Sequence, residues 1–492
     1  MNDTSYLMGI DIGTTYTKVG IYDFFGKEVL FKKTSTPMIS HYYGEAEFNP
    51  NFIWRDLIKV IQEIPFKYRS QIKALSLSSF AETVYPLDSA DNPLYNGIAW
   101  FDQRTKPQNK KVENLLGTSF IRKTTGLFPS WIYSINKILW FRENKPRLYQ
   151  DVRTWLDNAG YIIFKLTGEK IIDYSLACRT MMFNVWEKRW DTKILDEFEI
   201  DTCVLPKPVP SGTVVGKVSK KASKEMGLSQ NILVVSGGHD HLCAALSTGT
   251  IEKGKIQDST GTTESILIGL KNAKKIDVEA AKESFTVANH VARDTFCLFQ
   301  GTYCGGLLLD WFLDKVIGNV NYQIIEKIKC EQSIPMFIPY LRGSDFGPMS
   351  GALIGLKDFH DKNSVLCSIV EAIAFELKKM VDSLEKIIDT SNWVIRSIGG
   401  GAKNDVLLRY KANLLNKQVE VPMNQEASCH GAALLAGIGS GIYKNEVEAV
   451  KETLKISKVY SPESSQIEKI QLRYHKYRKI VTSYGDIEKT TM

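Results

Sequence analysis

A strand, a Gly-Thr-Thr turn and a returning strand occur twice in this chain. The first copy runs Leu7-Met8-Gly9-Ile10-Asp11-Ile12-Gly13-Thr14-Thr15-Tyr16-Thr17-Lys18-Val19, and the second runs Ile256-Gln257-Asp258-Ser259-Thr260-Gly261-Thr262-Thr263-Glu264-Ser265-Ile266. Glycine lets the backbone approach a ligand closely. Successive N–H groups in such a turn form an anion-binding nest. The hydroxyls of Thr14, Thr15 and Thr262 add donors, and Lys18 adds a positive charge. Asp11 stands beside the first turn, where a carboxylate and a phosphate repel each other unless a cation lies between them. Mg²⁺, held through few protein ligands and several waters, is the usual one. The two glycines, Gly13 and Gly261, are 248 residues apart in a chain of 492. Repetition at half the chain length predicts two related domains with a nucleotide held between them.

A second set of residues suits proton transfer. At Gly237-Gly238-His239-Asp240-His241 an apolar strand ends in glycines and delivers a carboxylate into a loop. An Asp placed there can accept a hydroxyl proton as a new P–O bond forms, despite its low resting pKa. The His-x-His pair lacks a third ligand and does not make a metal site. Glu82, which follows a buried strand, and Asp102, in Trp100-Phe101-Asp102-Gln103-Arg104, could accept hydrogen bonds from a polyol. Trp100 would wall its carbon face. The alternative is that Trp100 is core and that Asp102 pairs with Arg104. Gly301, Gly305 and Gly306 predict another close backbone approach. The turn Gly399-Gly400-Gly401, with Asn404 in the first turn of the next helix, would admit an adenine and ribose.

The elements that must position these residues are α/β in pattern. Strands are expected at 7–12, 18–22, 71–78, 232–236, 394–398 and 419–421. Helices are expected at about 51–64, 132–145, 157–166, 364–388 and 403–416. Leu205–Gly216, with three prolines, reads as a surface loop. Length alone predicts two large domains. Hydrophobic residues at 43% and charged residues at 24% are ordinary globular values, and the net charge of +7 is modest. No dense basic run calls for nucleic acid. No stretch is long enough for a membrane span, and no signal peptide is seen. Eight scattered cysteines without a C-x-x-C pair read as reduced thiols in a cytoplasmic protein.

Taken together, the motifs resemble the FGGY family of carbohydrate kinases, within the wider actin, Hsp70 and hexokinase ATPase superfamily. The matching pieces are Asp11-x-Gly13-Thr14-Thr15-x-x-Lys18, Trp100-x-Asp102-x-Arg104, Lys137-Ile138-Leu139-Trp140, Gly237-Gly238-His239-Asp240, Gly261-Thr262-Thr263, Gly400-Gly401-Ala402 and Glu426-x-x-x-x-Gly431-Ala432-Ala433. The resemblance implies two ribonuclease H-like domains with a central cleft: residues 1–252 for sugar and phosphate, 253–450 for nucleotide, and a helical tail at 451–492. It implies ATP-dependent phosphorylation of a sugar or polyol hydroxyl, with ATP and Mg²⁺. Asp240 matches the general base and Asp11 the Mg²⁺ position. Thr14, Thr15, Gly261 and Thr262 match the phosphate loops, and Gly306, Gly400, Gly401 and Asn404 the nucleotide side.

Glu82 falls where glycerol kinases place a substrate-binding Glu, but Ala81 stands where those enzymes carry an Arg. The Met-His-Gly signature common in xylulokinases and gluconokinases is absent, while Gly-Gly-His-Asp looks closer to the xylulokinase-like branch. The expected acceptor is a ketose or sugar alcohol, nominally D-xylulose, with glycerol, a tetritol or gluconate as alternatives. Gluconate is disfavoured because Glu82 and Asp102 would repel its carboxylate. A chaperone-like or sugar-sensing role on the same fold stands as the alternative of another class. A homodimer is the candidate assembly.

Overall fold

The computed structural model describes residues 5–40, 44–271, 285–328, 334–343 and 349–491. It contains two large mixed sheets built to the same plan. The first comprises β1 (Tyr6–Ile12), β2 (Tyr16–Tyr22), β3 (Glu28–Ser35), β4 (Ile72–Ser79), β5 (Val214–Lys217) and β6 (Leu233–His239), in the order β5-β6-β4-β1-β2-β3. The second comprises β7 (Lys255–Thr260), β8 (Glu264–Lys271), β9 (Thr286–Asn289), β10 (Thr295–Thr302), β11 (Val394–Ile398), β12 (Val419–Pro422) and β13 (Ile456–Tyr460), in the order β9-β10-β8-β7-β11-β12-β13. In each, a run of antiparallel strands, three in the first sheet and four in the second, meets two parallel ones and an antiparallel edge strand.

Hydrophobic pattern explains the order. β1 is buried along its whole length, as befits a strand covered on both faces. It pairs with β2 on one side and β4 on the other, which sets Asp11 opposite Lys18 and Ser78. β6 runs parallel to β4 with a register shift between Val235 and Gly238. Gly237 is required at that irregularity, because a Cβ there would stand 1.4 Å from the Leu77 carbonyl oxygen. The shift brings His239 opposite Ser79, so the three strand ends carrying Asp11, Ser78 and His239–Asp240 converge.

Helices α1 (Asp240–Ser247), α2 (Lys362–Glu385), α3 (Asp405–Leu415), α4 (Ala427–Gly439) and α5 (Ser464–Thr491) complete the frame. α4, although late in the chain, packs on β1, β4, β6 and α1 of the first sheet. Small residues permit this: a Cβ on Gly9 would stand 1.9 Å from the Cys429 carbonyl oxygen, and one on Gly431 would stand 1.8 Å from that of Cys243.

Three local expectations differ from the structure. Leu205–Gly216 is not simply a loop: Lys207–Val209 pairs with Ile171–Asp173, and β5 begins at Val214. Within 451–492, β13 extends the second sheet before α5 begins, and α5 docks on α2 through Tyr477 Oη donating to Glu376 Oε1 at 2.7 Å. Cys178, Cys203, Cys243, Cys297, Cys304 and Cys429 are free thiols, whereas Cys367 is disulfide-bonded. Cys330 lies outside the described residues. Among the described residues, no helix is long and apolar enough to cross a membrane.

Candidate active site

Asp11 lies at the end of β1, where burial dominates its chemistry. Its side chain accepts a hydrogen bond from Ser78 Oγ at 3.0 Å and faces Lys18 Nζ at 3.5 Å. Burial pushes its carboxyl up to about 6, against the opposing pull of Lys18, and Asp240 adds a further upward push. Lys18 also pairs with Glu426 at 2.7 Å, just before α4, so it joins β2 to the second half of the chain. Asp11 is thus a buried carboxylate beside a polar turn, with Lys18 between it and Glu426. Among the described residues no group of three or more His, Cys, Asp or Glu side chains is placed to hold a metal. A single oxygen donor at this turn fits Mg²⁺, which binds few protein ligands and keeps its waters.

Asp240 is the first residue of α1, with its carboxylate at the positive end of that helix. Its Oδ1 accepts from the His241 backbone N–H at 2.7 Å and lies 3.2 Å from His239 Nε2. Burial pushes its carboxyl up to about 7, the His241 N–H pulls down, and Glu82 pushes up again. The low resting pKa expected from sequence is therefore replaced by one near neutrality. Burial holds His239 well below the usual imidazole range and His241 down at about 4, so both rings are neutral at pH 7. Neither is poised as a competing acid.

Glu82 adopts a left-handed backbone, φ +69°. Such a conformation costs an ordinary residue roughly 1–3 kcal/mol and persists where its surroundings over-determine it. Here Ser134 Oγ donates to the Glu82 carbonyl at 3.1 Å, and Arg179 grips the carboxylate. Arg179 Nε donates to Oε1 at 2.7 Å, and Nη2 lies 2.6 Å from the same oxygen. The guanidinium also sits over the Tyr133 ring, 5.1 Å from its centre. Arg179 and Tyr133 escaped the sequence reading. Lys137 is fully buried nearby, and burial brings its amine down to about 7 against the pull of Glu82 and Asp102.

Trp100 is partly exposed, and its indole N–H donates to Thr14 Oγ1 at 3.4 Å, linking the expected sugar wall to the first phosphate turn. Asp102 does not join the sugar-side residues. It is fully buried and caps its own short helix through the Arg104 N–H at 2.9 Å. Its Oδ2 accepts from the Ala46 N–H at 2.8 Å and from Arg104 Nε at 3.0 Å. Arg104 also reaches Glu47 at 2.8 Å. With both oxygens engaged, Asp102 has no lone pair directed at an acceptor, and the structural alternative applies. The argument against gluconate weakens with it, because each carboxylate it invoked carries an arginine.

On the nucleotide side, β7 and β8 turn at Gly261-Thr262-Thr263. The Gly306 N–H donates to the Gly261 carbonyl at 2.7 Å, and the Leu307 N–H to that of Thr262 at 3.2 Å. A Cβ on Gly399 would stand 2.6 Å from the Thr260 carbonyl oxygen, and one on Gly306 would stand 2.7 Å from that of Gly261, so these turns pack backbone on backbone, while a Cβ on Gly401 would meet the Thr260 side chain. Asn404 caps α3, its Oδ1 accepting from the Leu407 N–H at 3.1 Å. That oxygen is committed to the helix, which leaves the amide for a base or ribose.

Two sheets built on the same strand-turn-strand plan, each with a carboxylate near the end of a central strand, define an actin-like ATPase fold. Residues 6–247 match the model of the FGGY family of carbohydrate kinases, N-terminal domain, and residues 258–440 that of its C-terminal domain; the chain belongs to this family and is a carbohydrate kinase. It is 27% identical to the xylulose kinase of Bacillus subtilis (strain 168), over 98% of each chain. It is likewise 27% identical to the glycerol kinase of Thermococcus kodakarensis, over 94% of this chain and 93% of that one. The crystal structure of ligand-bound xylulose kinase from Lactobacillus acidophilus superposes with a TM-score of 0.88 at 25% identity, covering 98% of this chain and all of the other.

Proposed function

We propose that the protein transfers the γ-phosphate of ATP to a hydroxyl of a ketose or sugar alcohol, nominally D-xylulose, with Asp240 as general base. The observation that carries this reading is the placement of Asp240: half-buried, at a helix N-terminus, and with its carboxyl pushed up to about 7. A base near the working pH accepts a proton without holding it too tightly. The acceptor oxygen bonds to the γ-phosphorus, the bond to the ADP oxygen breaks, and the hydroxyl proton passes to Asp240.

Thr14, Thr15, Gly261 and Thr262 would hold the phosphates, and Gly306, Gly400, Gly401 and Asn404 the nucleoside. Asp11 would hold Mg²⁺ through water, and the cation, when bound, offsets phosphate charge. Glu82 would accept an acceptor hydroxyl and Trp100 would cover the carbon face. A glycerol or tetritol acceptor is the second reading. It is favoured by Glu82, whose guanidinium partner comes from Arg179 instead of position 81. An ATP-consumption screen over ketopentoses, tetritols, glycerol and gluconate tests both; no turnover with any of them would remove the reading.

A further inference from the structure

Glu82 and Arg179 come from segments 97 residues apart, yet both are nearly buried, their side chains 6% and 11% exposed. Building on the kinase reading above, we propose that this pair is the charge-balance element that determines acceptor specificity, and that its neutrality selects uncharged sugars over sugar acids. Both Arg179 contacts fall on Oε1, which leaves Oε2 for an acceptor hydroxyl. The Tyr133 ring under the guanidinium and the left-handed backbone at Glu82 hold the pair in one geometry. Asp102 stands outside this balance, because it is already engaged by Arg104 together with Glu47. The His239 N–H donates to Ser175 Oγ at 2.8 Å, and His239 stands opposite Ser79, so the segments that carry Arg179 and Glu82 both leave beside the strand end that carries Asp240.

A buried charge left without its partner is strongly unfavourable. Removing the Glu82 charge alone therefore leaves a guanidinium that a carboxylate on the acceptor can satisfy. Removing the Arg179 charge alone leaves a carboxylate that repels such an acceptor. Removing both restores neutrality. No role in folding alone predicts this reversal of sign.

The test is the ratio of kcat/KM for gluconate to that for the best neutral acceptor, measured in Glu82→Gln, Arg179→Gln and the double variant. Inhibition constants for gluconate against the neutral acceptor serve where turnover is too slow. Glu82→Gln is expected to raise the preference for gluconate at least about tenfold, Arg179→Gln to lower it, and the double variant to return it close to the wild-type value. Either single variant suffices if the other does not fold, because each has its own predicted sign. Ratios unchanged in every folded variant, or shifted in one direction by both, would overturn the proposal. Wild-type protein that turns over no sugar would instead overturn the kinase reading beneath it.

Discussion

Asp11 and Asp258 lie near the ends of corresponding strands in the two sheets, two and three residues before the glycine of a Gly-Thr-Thr turn. Each accepts from a serine on the neighbouring parallel strand, Ser78 at 3.0 Å and Ser397 at 2.9 Å. Each also meets a lysine, Lys18 at 3.5 Å and Lys411 at 2.7 Å. Their surroundings then diverge. Lys411 is sealed among Asp258, Thr260 and Glu264, and its own side chain and both carboxylates are fully buried. Lys18 remains a quarter exposed. One copy is a closed structural bolt behind its turn; the other opens toward solvent.

Asp11 should therefore trade stability for function. Its folded-state carboxyl titrates at about 6, above its ordinary value of 3.8, because burial penalises the charge. The stability it contributes is fully present below the unfolded value and is lost as pH rises through 6. Asp11→Asn should thus melt higher than wild type at pH 8, with the difference vanishing by pH 4. The same variant should need at least about tenfold more Mg²⁺ for half-maximal activity, with the acceptor KM little changed. An unaltered Mg²⁺ dependence would contradict the assignment of Asp11.

Both hairpins, the glycine-rich strand ends and the long α2 pattern could be read from the chain because their signals are local. Gly237 and Gly399 mark real backbone contacts, and α2 spans Lys362–Glu385 against an expected 364–388. What escaped reading is long-range. Arg179 sits in an unremarkable Cys-Arg-Thr stretch, and only the fold brings it to Glu82. The strand Lys207–Val209 is three residues long and surrounded by prolines, so its pairing leaves no alternation to detect. The packing of α4 on the first sheet had one available signal, the small-residue run Gly431-Ala432-Ala433, whose meaning depends on a partner more than 400 residues away at Gly9.

Asp240→Asn should lower kcat by at least about a hundredfold while ATP affinity, measured by calorimetry, stays near wild type. In the wild-type enzyme the ionised form is the base, and its carboxyl titrates at about 7 in the free protein. The kcat/KM for the acceptor should then fall about tenfold per pH unit below that value. A profile flat from pH 8 to pH 5 would remove Asp240 as the base.

Asp102→Ala should act on stability before it acts on the acceptor. The change leaves Arg104 with only Glu47 and the more distant Glu45, and strips the cap from the 103–105 turn. Breaking such a buried pair typically costs about 3–5 kcal/mol. Thermal denaturation should show a large loss, whereas the acceptor KM of the folded protein should change less than in Glu82→Gln. An acceptor KM raised more by Asp102→Ala than by Glu82→Gln would return Asp102 to the sugar site.

Gly306→Ala isolates the nucleotide side. Gly306 has ordinary backbone angles, φ −58° and ψ −21°, so alanine meets no conformational penalty there. Its added Cβ would nevertheless stand 2.7 Å from the Gly261 carbonyl oxygen. Backbone on backbone cannot be relieved by turning a side chain, so the Gly261-Thr262 turn must shift. The Gly306 N–H hydrogen bond to that carbonyl couples the two loops, and displacement of one carries the other. If these loops hold the phosphates and the nucleoside, the KM for ATP should rise at least several-fold while the acceptor KM remains close to wild type. Equal loss of both would indicate a general disturbance of the cleft. An unchanged KM for ATP, with the turn shown to have moved, would take the phosphate site away from Gly261.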